Sequence, residues 1–170
     1  MDVLISADEI RDRVTAVAAD IRATLADQPV SVIGVLTGSL IFLADLVRQL
    51  DFPLQIGLLK ASSYRGTATS PAELVIEGSL LPDITGRHLL VLDDILDTGQ
   101  TLSKLVAYLK DRGAASVRTC VLLRKVGRQT TPFEPDYVGF TIPDKFVVGY
   151  GLDFNDDYRH LPYIGVLSSE

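Results

Sequence analysis

Apolar residues recur at Ile10, Val14, Val17, Ile21 and Leu25, the spacing that puts one face of a helix against a core, and Ser6-Ala7-Asp8-Glu9 ahead of them reads as a capping box. Gln28-Pro29 ends that helix. Val30 to Leu36 predicts a buried strand, Thr37-Gly38-Ser39 a turn, and Leu40 to Leu50 a helix showing Ile41, Leu43, Leu46, Val47 and Leu50 to the core. Further strands are predicted near Leu54 to Leu59, Leu74 to Glu77, Leu89 to Leu92 and Val117 to Leu123. A polar loop from Ser62 to Pro71 and a helix from Thr98 to Arg112, stopped by Gly113, lie among them. Strands alternating with helices predict an α/β fold with a mostly parallel central sheet flanked by helices. In such sheets ligands bind where the carboxyl ends of the strands open, which brings the exits after Leu36, Leu92 and Leu123 together.

Composition narrows the function classes. The 170 residues, 47% hydrophobic and 22% charged, are enough for one domain with a substantial core, and 1–170 is expected to be a single domain. The lone cysteine, Cys120, lies among Val117, Val121, Leu122 and Leu123 and reads as a small core residue. No signal segment or membrane-spanning run is evident, so a cytoplasmic protein without membrane partners is expected. A net charge of −6 argues against a broad nucleic-acid surface. It leaves room for a phosphorylated small molecule whose charge is balanced by metal ions.

The chemistry concentrates in Leu89-Leu90-Val91-Leu92-Asp93-Asp94-Ile95-Leu96-Asp97-Thr98-Gly99-Gln100-Thr101. An apolar strand empties into two adjacent carboxylates, then a third, then the start of a helix. Unpaired amides at a helix start suit an anionic phosphate, so Asp97, Thr98, Gly99, Gln100 and Thr101 form a candidate phosphate loop. Asp93 and Asp94 repel each other unless hydroxyls or a cation satisfy them, which points to a ribose diol and a hard divalent ion such as Mg²⁺.

This segment resembles the phosphoribosyl pyrophosphate (PRPP) signature of the type I phosphoribosyltransferases. Three more stretches resemble the family in the same order. Leu36-Thr37-Gly38 stands at its pyrophosphate loop, where most members have Lys or Arg at the Thr37 position and where the peptide is often cis. Ser62 to Ser70 resembles the mobile lid of the hypoxanthine-guanine branch, with Ser63 and Tyr64 as the lid contacts and Pro71 where many members have Gly. Lys125, together with Ile142-Pro143-Asp144-Lys145-Phe146-Val147-Val148-Gly149-Tyr150-Gly151-Leu152-Asp153, resembles the purine site of that same branch.

The resemblance implies the type I phosphoribosyltransferase fold, with a small hood formed by chain-terminal segments. It implies an enzyme of purine salvage that moves the 5-phosphoribosyl group from PRPP to N9 of hypoxanthine or guanine and releases pyrophosphate. Asp97 would then be the catalytic base accepting the purine N7 proton. Lys125 would donate to the 6-oxo oxygen, Phe146 would stack on the base, and Val147 would meet its edge through the backbone. Asp93, Asp94 and Asp153 would hold Mg²⁺, and Arg159 would join Leu36, Thr37 and Gly38 on the pyrophosphate. A homodimer or homotetramer is implied as well. His88 and His160 fall in no catalytic motif and read as structural or surface residues. A nucleotide-sensing regulator of the same fold, or a transferase for xanthine, adenine or orotate, are the other readings, and salt-dependent RNA binding and a panel of bases separate them.

Overall fold

In the computed structural model, which describes residues 1–64 and 73–168 (Ser63 and Tyr64 by backbone alone), Ser6 caps the first helix as its sequence predicts. The Ser6 hydroxyl accepts from the Glu9 amide at 3.2 Å, and the Ser6 amide donates to the Glu9 carboxylate at 2.7 Å. Helix α1 (Ala7–Leu25) buries Ile10, Val14, Val17, Ile21 and Leu25. It follows strand β1 (Asp2–Ile5) and leads into β2 (Val30–Leu36), α2 (Leu40–Val47), β3 (Leu54–Tyr64), β4 (Glu73–Glu77) and β5 (His88–Leu96). The chain continues through α3 (Gln100–Asp111), β6 (Ser116–Lys125), β7 (Tyr137–Ile142), β8 (Val147–Val148) and β9 (Ile164–Val166).

The main sheet has the order β4-β3-β2-β5-β6-β7 and is parallel apart from the antiparallel edge strand β4. Its central strands are apolar on both faces, as a parallel sheet covered on both sides requires. Val30, Val32, Leu90, Leu92 and Cys120 point toward α1 and α2, whereas Ile33, Val35, Leu89, Val91 and Val121 point toward α3. A second, antiparallel sheet β1-β9-β8 joins the two ends of the chain and forms the small hood. The buried Cys120 thiol is pushed up in pKa by desolvation, as befits an inert core residue.

Several boundaries differ from the sequence reading. β5 does not stop at Leu92 but carries Asp93 and Asp94 within it, because β6 pairs with it as far as Leu96↔Arg124. β3 runs past Leu59 to Tyr64, pairing Ser62 with Val75 and Tyr64 with Glu73, so the expected polar loop starts later. The rest of that loop, including Pro71, lies outside the described residues, as do the side chains of the expected lid contacts Ser63 and Tyr64. α2 ends at Val47, short of Leu50, and its buried stripe is Phe42, Leu43 and Leu46. Ile41, expected in the core, is among the exposed apolar residues, and Val47 is only half-buried. Phe42 takes Ile41's place because Phe42 and Leu43 both stand one turn before Leu46.

Candidate active site

Between β2 and β5 the chain changes direction across the sheet, since β3 lies on one side of β2 and β5 on the other. Beyond the carboxyl ends of these two strands is a cleft of about 370 Å³. Asp93, Asp94, Asp97, Thr98, Gly99 and Thr101 line it from β5 and the start of α3, Leu36, Thr37 and Gly38 from the end of β2, and Asp153 and Arg159 from the hood side. The candidate phosphate, ribose and pyrophosphate residues therefore converge, Gln100 excepted. Gln100 is exposed and turns its amide toward Thr130 Oγ1 at 3.3 Å.

The carboxylate pair is held by its own backbone. Asp93 Oδ1 accepts from the Asp94 amide at 2.9 Å, and Asp94 Oδ1 accepts from the Ile95 amide at 2.8 Å. Burial, and then the neighbouring Asp94 charge, push the Asp93 carboxyl well above the usual carboxylate range. Burial also raises Asp94, opposed by hydrogen bonds and by the Arg159 guanidinium. A pair in this condition gains from ribose hydroxyls or a cation that would stabilise its ionised form.

Gly99 turns the chain from β5 into α3. Its φ of +87° is one that glycine adopts without steric cost, and it packs beneath Thr131 and Phe133. α3 thus begins at Gln100 and not at Thr98, with its amide-rich, positive end at the cleft. Across the cleft the Leu36–Thr37 peptide bond is cis. Gly38 lies flat against the Asp94 carboxylate, where a Cβ would overlap it, and the Gly38 carbonyl in turn abuts Gly151. Arg159 Nη1 donates to the Gly151 carbonyl at 2.7 Å, and Arg159 Nη2 stands 3.3 Å from Asp153 Oδ1. The Asp153–Arg159 pair is a wall of the cleft, and Thr37 supplies no cation there, so among the described residues that line it Arg159 is the one with a guanidinium to offer a bound anion.

Asp153 Oδ2 also accepts from the Asp156 amide at 2.9 Å. No group of three or more His, Cys, Asp or Glu among the described residues forms a ready-made metal cage, so Asp93, Asp94 and Asp153 do not make one cluster. This donor set still fits Mg²⁺, which keeps most of its water and is held by one or two carboxylates together with substrate phosphates.

The expected purine residues stand outside the cleft itself. Lys125 ends β6, next to β5 in the sheet, with its side chain 13% exposed and its Nζ 3.6 Å from Asp144 Oδ1. Phe146 offers an exposed ring that meets Phe154 edge-on, centroids 5.6 Å apart, and Val147 is buried in β8. Two charged residues that the sequence reading did not single out bridge this group to the cleft. Arg128 Nε donates to Asp97 Oδ1 at 2.8 Å and lies 3.9 Å from Asp144 Oδ2. No periodicity or motif marks Arg128, whose partner is 31 residues away. His88 bonds Ser116 at the far end of β5 and β6, and His160 is exposed.

The profile of the phosphoribosyl transferase domain matches residues 6–155. The hypoxanthine-guanine phosphoribosyltransferase of Streptococcus pneumoniae is 43% identical over 168 residues, 99% of this chain and 93% of that protein. Its counterpart from Bacillus subtilis is 42% identical over 165 residues, 97% and 92% of the two chains. A crystal structure of a Staphylococcus aureus hypoxanthine phosphoribosyltransferase superposes with a TM-score of 0.93 at 37% identity, covering 99% of this chain and 91% of that one. Strand order, the paired carboxylates at the sheet's switch point and full-length similarity agree: this chain belongs to the phosphoribosyltransferase family and groups within it with the hypoxanthine-guanine phosphoribosyltransferases.

Proposed function

We propose that this enzyme transfers the 5-phosphoribosyl group of PRPP to N9 of hypoxanthine or guanine, forming IMP or GMP and releasing pyrophosphate. The observation that carries the reading is the convergence of the Asp93–Asp94 pair, the start of α3, the Gly38 turn and Arg159 on one cleft, with Lys125 at the end of the adjoining strand. The 5′-phosphate would sit on the amides and hydroxyls of Asp97 to Thr101, and Asp93 and Asp94 would hold the ribose hydroxyls. Thr37, Gly38 and Arg159 would hold the pyrophosphate. Lys125 would donate to the 6-oxo oxygen, with Phe146 on the face of the base and Val147 at its edge. Ser63 and Tyr64 are the proposed lid residues.

Asp93, Asp94 and Asp153 would hold Mg²⁺, whose positive charge would offset that of the leaving pyrophosphate. In the reaction the C1–oxygen bond to pyrophosphate breaks and the C1–N9 bond forms. The carboxylates below the ribose favour the cationic character that develops between these events. Asp97 would accept the N7 proton as N9 becomes bonded. We further propose a cytoplasmic, single-domain enzyme that assembles as a homodimer or homotetramer. Asp97→Asn tests the proton step, since it retains shape and removes the acceptor. Single-turnover formation of IMP should slow by about a hundred-fold with little change in PRPP affinity. An unchanged rate would remove Asp97 from that role.

A further inference from the structure

Lys125, Asp144, Arg128 and Asp97 form a row of alternating charge that runs from the proposed purine-reading group to the proposed proton acceptor. Lys125 Nζ is 3.6 Å from Asp144 Oδ1, Asp144 Oδ2 is 3.9 Å from Arg128 Nε, and Arg128 Nε is 2.8 Å from Asp97 Oδ1. Each inner member thus faces two partners of opposite sign and is closer to the outer one. The loop that carries Arg128 is fastened to the phosphate loop. The amides of Thr130 and Thr131 both donate to the Thr98 carbonyl, at 3.0 and 3.1 Å, and the Val126 amide donates to Ile142 O at 2.9 Å. Arg128 therefore reaches Asp97 from a tethered backbone.

The proposed function makes demands at both ends of this row, and the inference rests on that reading. If Asp97 takes up a proton while Arg128 stays on it, the ion pair is lost with nothing in exchange. Lys125, meanwhile, must turn its ammonium from the Asp144 carboxylate, 3.6 Å away, toward the purine oxygen. We propose that Arg128 is a positioning residue that couples the two events. As the 6-oxo oxygen draws Lys125 from Asp144, the Asp144 carboxylate takes up the guanidinium, and Asp97 is released toward N7. No covalent bond changes in this exchange: Asp144 keeps a cationic partner throughout, while Lys125 and Asp97 each trade an ion pair for a hydrogen bond to the base. An adenine amino group has no oxygen to draw the ammonium, so Arg128 remains on Asp97. The row thereby ties base identity to turnover as well as to binding.

The exchange predicts a reversal of sign between two substitutions. In Asp144→Asn the second seat for Arg128 is lost, and single-turnover IMP formation with saturating PRPP and Mg²⁺ should fall about ten- to a hundred-fold. Adding Arg128→Gln to the same chain removes the residue that has to move, so the double variant should be faster than Asp144→Asn alone. Arg128 and Asp144 are 45% and 52% exposed in their side chains, so the variants should fold, and melting curves verify this. Should Asp144→Asn fold poorly, Asp144→Ser takes its place in the same comparison. A double variant no faster than the single one, or an Asp144→Asn rate equal to the parent's, overturns the exchange. So does a slow Arg128→Gln that is rescued by Arg128→Lys, because a fixed orienting contact behaves that way. Asp97→Asn, measured alongside, keeps the two claims apart. An unchanged rate there rejects the base assignment itself, whereas a slow Asp97→Asn with no recovery in the double variant rejects only the coupling.

Discussion

Asp93 is buried where a charge is expensive, and the cost is borne by the protein before any ligand arrives. Its carboxyl is pushed well above the usual range by burial and by Asp94, so the folded, metal-free chain keeps a proton that the unfolded chain has already released. Stability of this form therefore falls as pH rises from the ordinary carboxylate range through the raised native value, and levels off above it. Asp93→Asn removes that slope while its amide oxygen can still accept from Asp94. In thermal melts the variant should gain a few degrees over the parent at neutral pH, with the gain vanishing near about pH 4, and should bind PRPP and Mg²⁺ poorly. A constant difference across that window would mean that the carboxyl does not carry the penalty. At the other end of the site, Lys125→Ala should lower kcat/KM for hypoxanthine and guanine about ten- to a hundred-fold. PRPP affinity measured by calorimetry should hardly move, and equal losses of both would place Lys125 on phosphate or in the fold.

At the scale of elements, the side of the cleft where pyrophosphate is proposed to bind is built on one close approach, that of the 149–153 turn to the Gly38 turn. Gly151 has a φ of +99°, and a Cβ there would run into the Gly38 carbonyl. Gly151→Ala should destabilise the chain by about 1–3 kcal/mol and weaken pyrophosphate binding. Gly86, at φ +70° with open space around it and at the end of β5 away from the cleft, supplies the control. Gly86→Ala bears the backbone cost alone, so similar losses of ligand binding in the two variants would refute the role of the approach. The difference between these glycines is invisible in the sequence, because the partner carbonyl comes from a segment more than a hundred residues away. By contrast the stripe Ile10 to Leu25 and the turn from β5 into α3 are legible, since each is a local pattern with a local cause. β5 reads short because Asp93 and Asp94 break its apolar run, and only the β6 ladder shows that the strand continues. β8, two residues long, and β9, three, are too short to carry a periodic signal, so the hood came from resemblance alone.

In the whole molecule the sheet gathers what the chain scatters. Residues from Leu36 to Arg159 meet at the carboxyl ends of β2 and β5, and the hood brings Asp153 and Arg159 over them. Lys125, Phe146 and Val147 are not among the residues that line this cleft, so in the proposed reaction a purine would have to bridge the two regions with its N9 toward the ribose. The Arg128–Asp144 bridge between them, formed from residues with no shared motif, is the part of the site that sequence reasoning missed. The central claim is that this assembly joins PRPP to a 6-oxopurine and depends on a divalent ion. The measurement that tests it most directly is steady-state nucleotide formation from PRPP with hypoxanthine, guanine, xanthine and adenine in turn, with Mg²⁺ and with excess chelator. The account predicts IMP and GMP in step with pyrophosphate release, little or no AMP, and loss of turnover on chelation. Efficient use of adenine, or full activity without the metal, would contradict it.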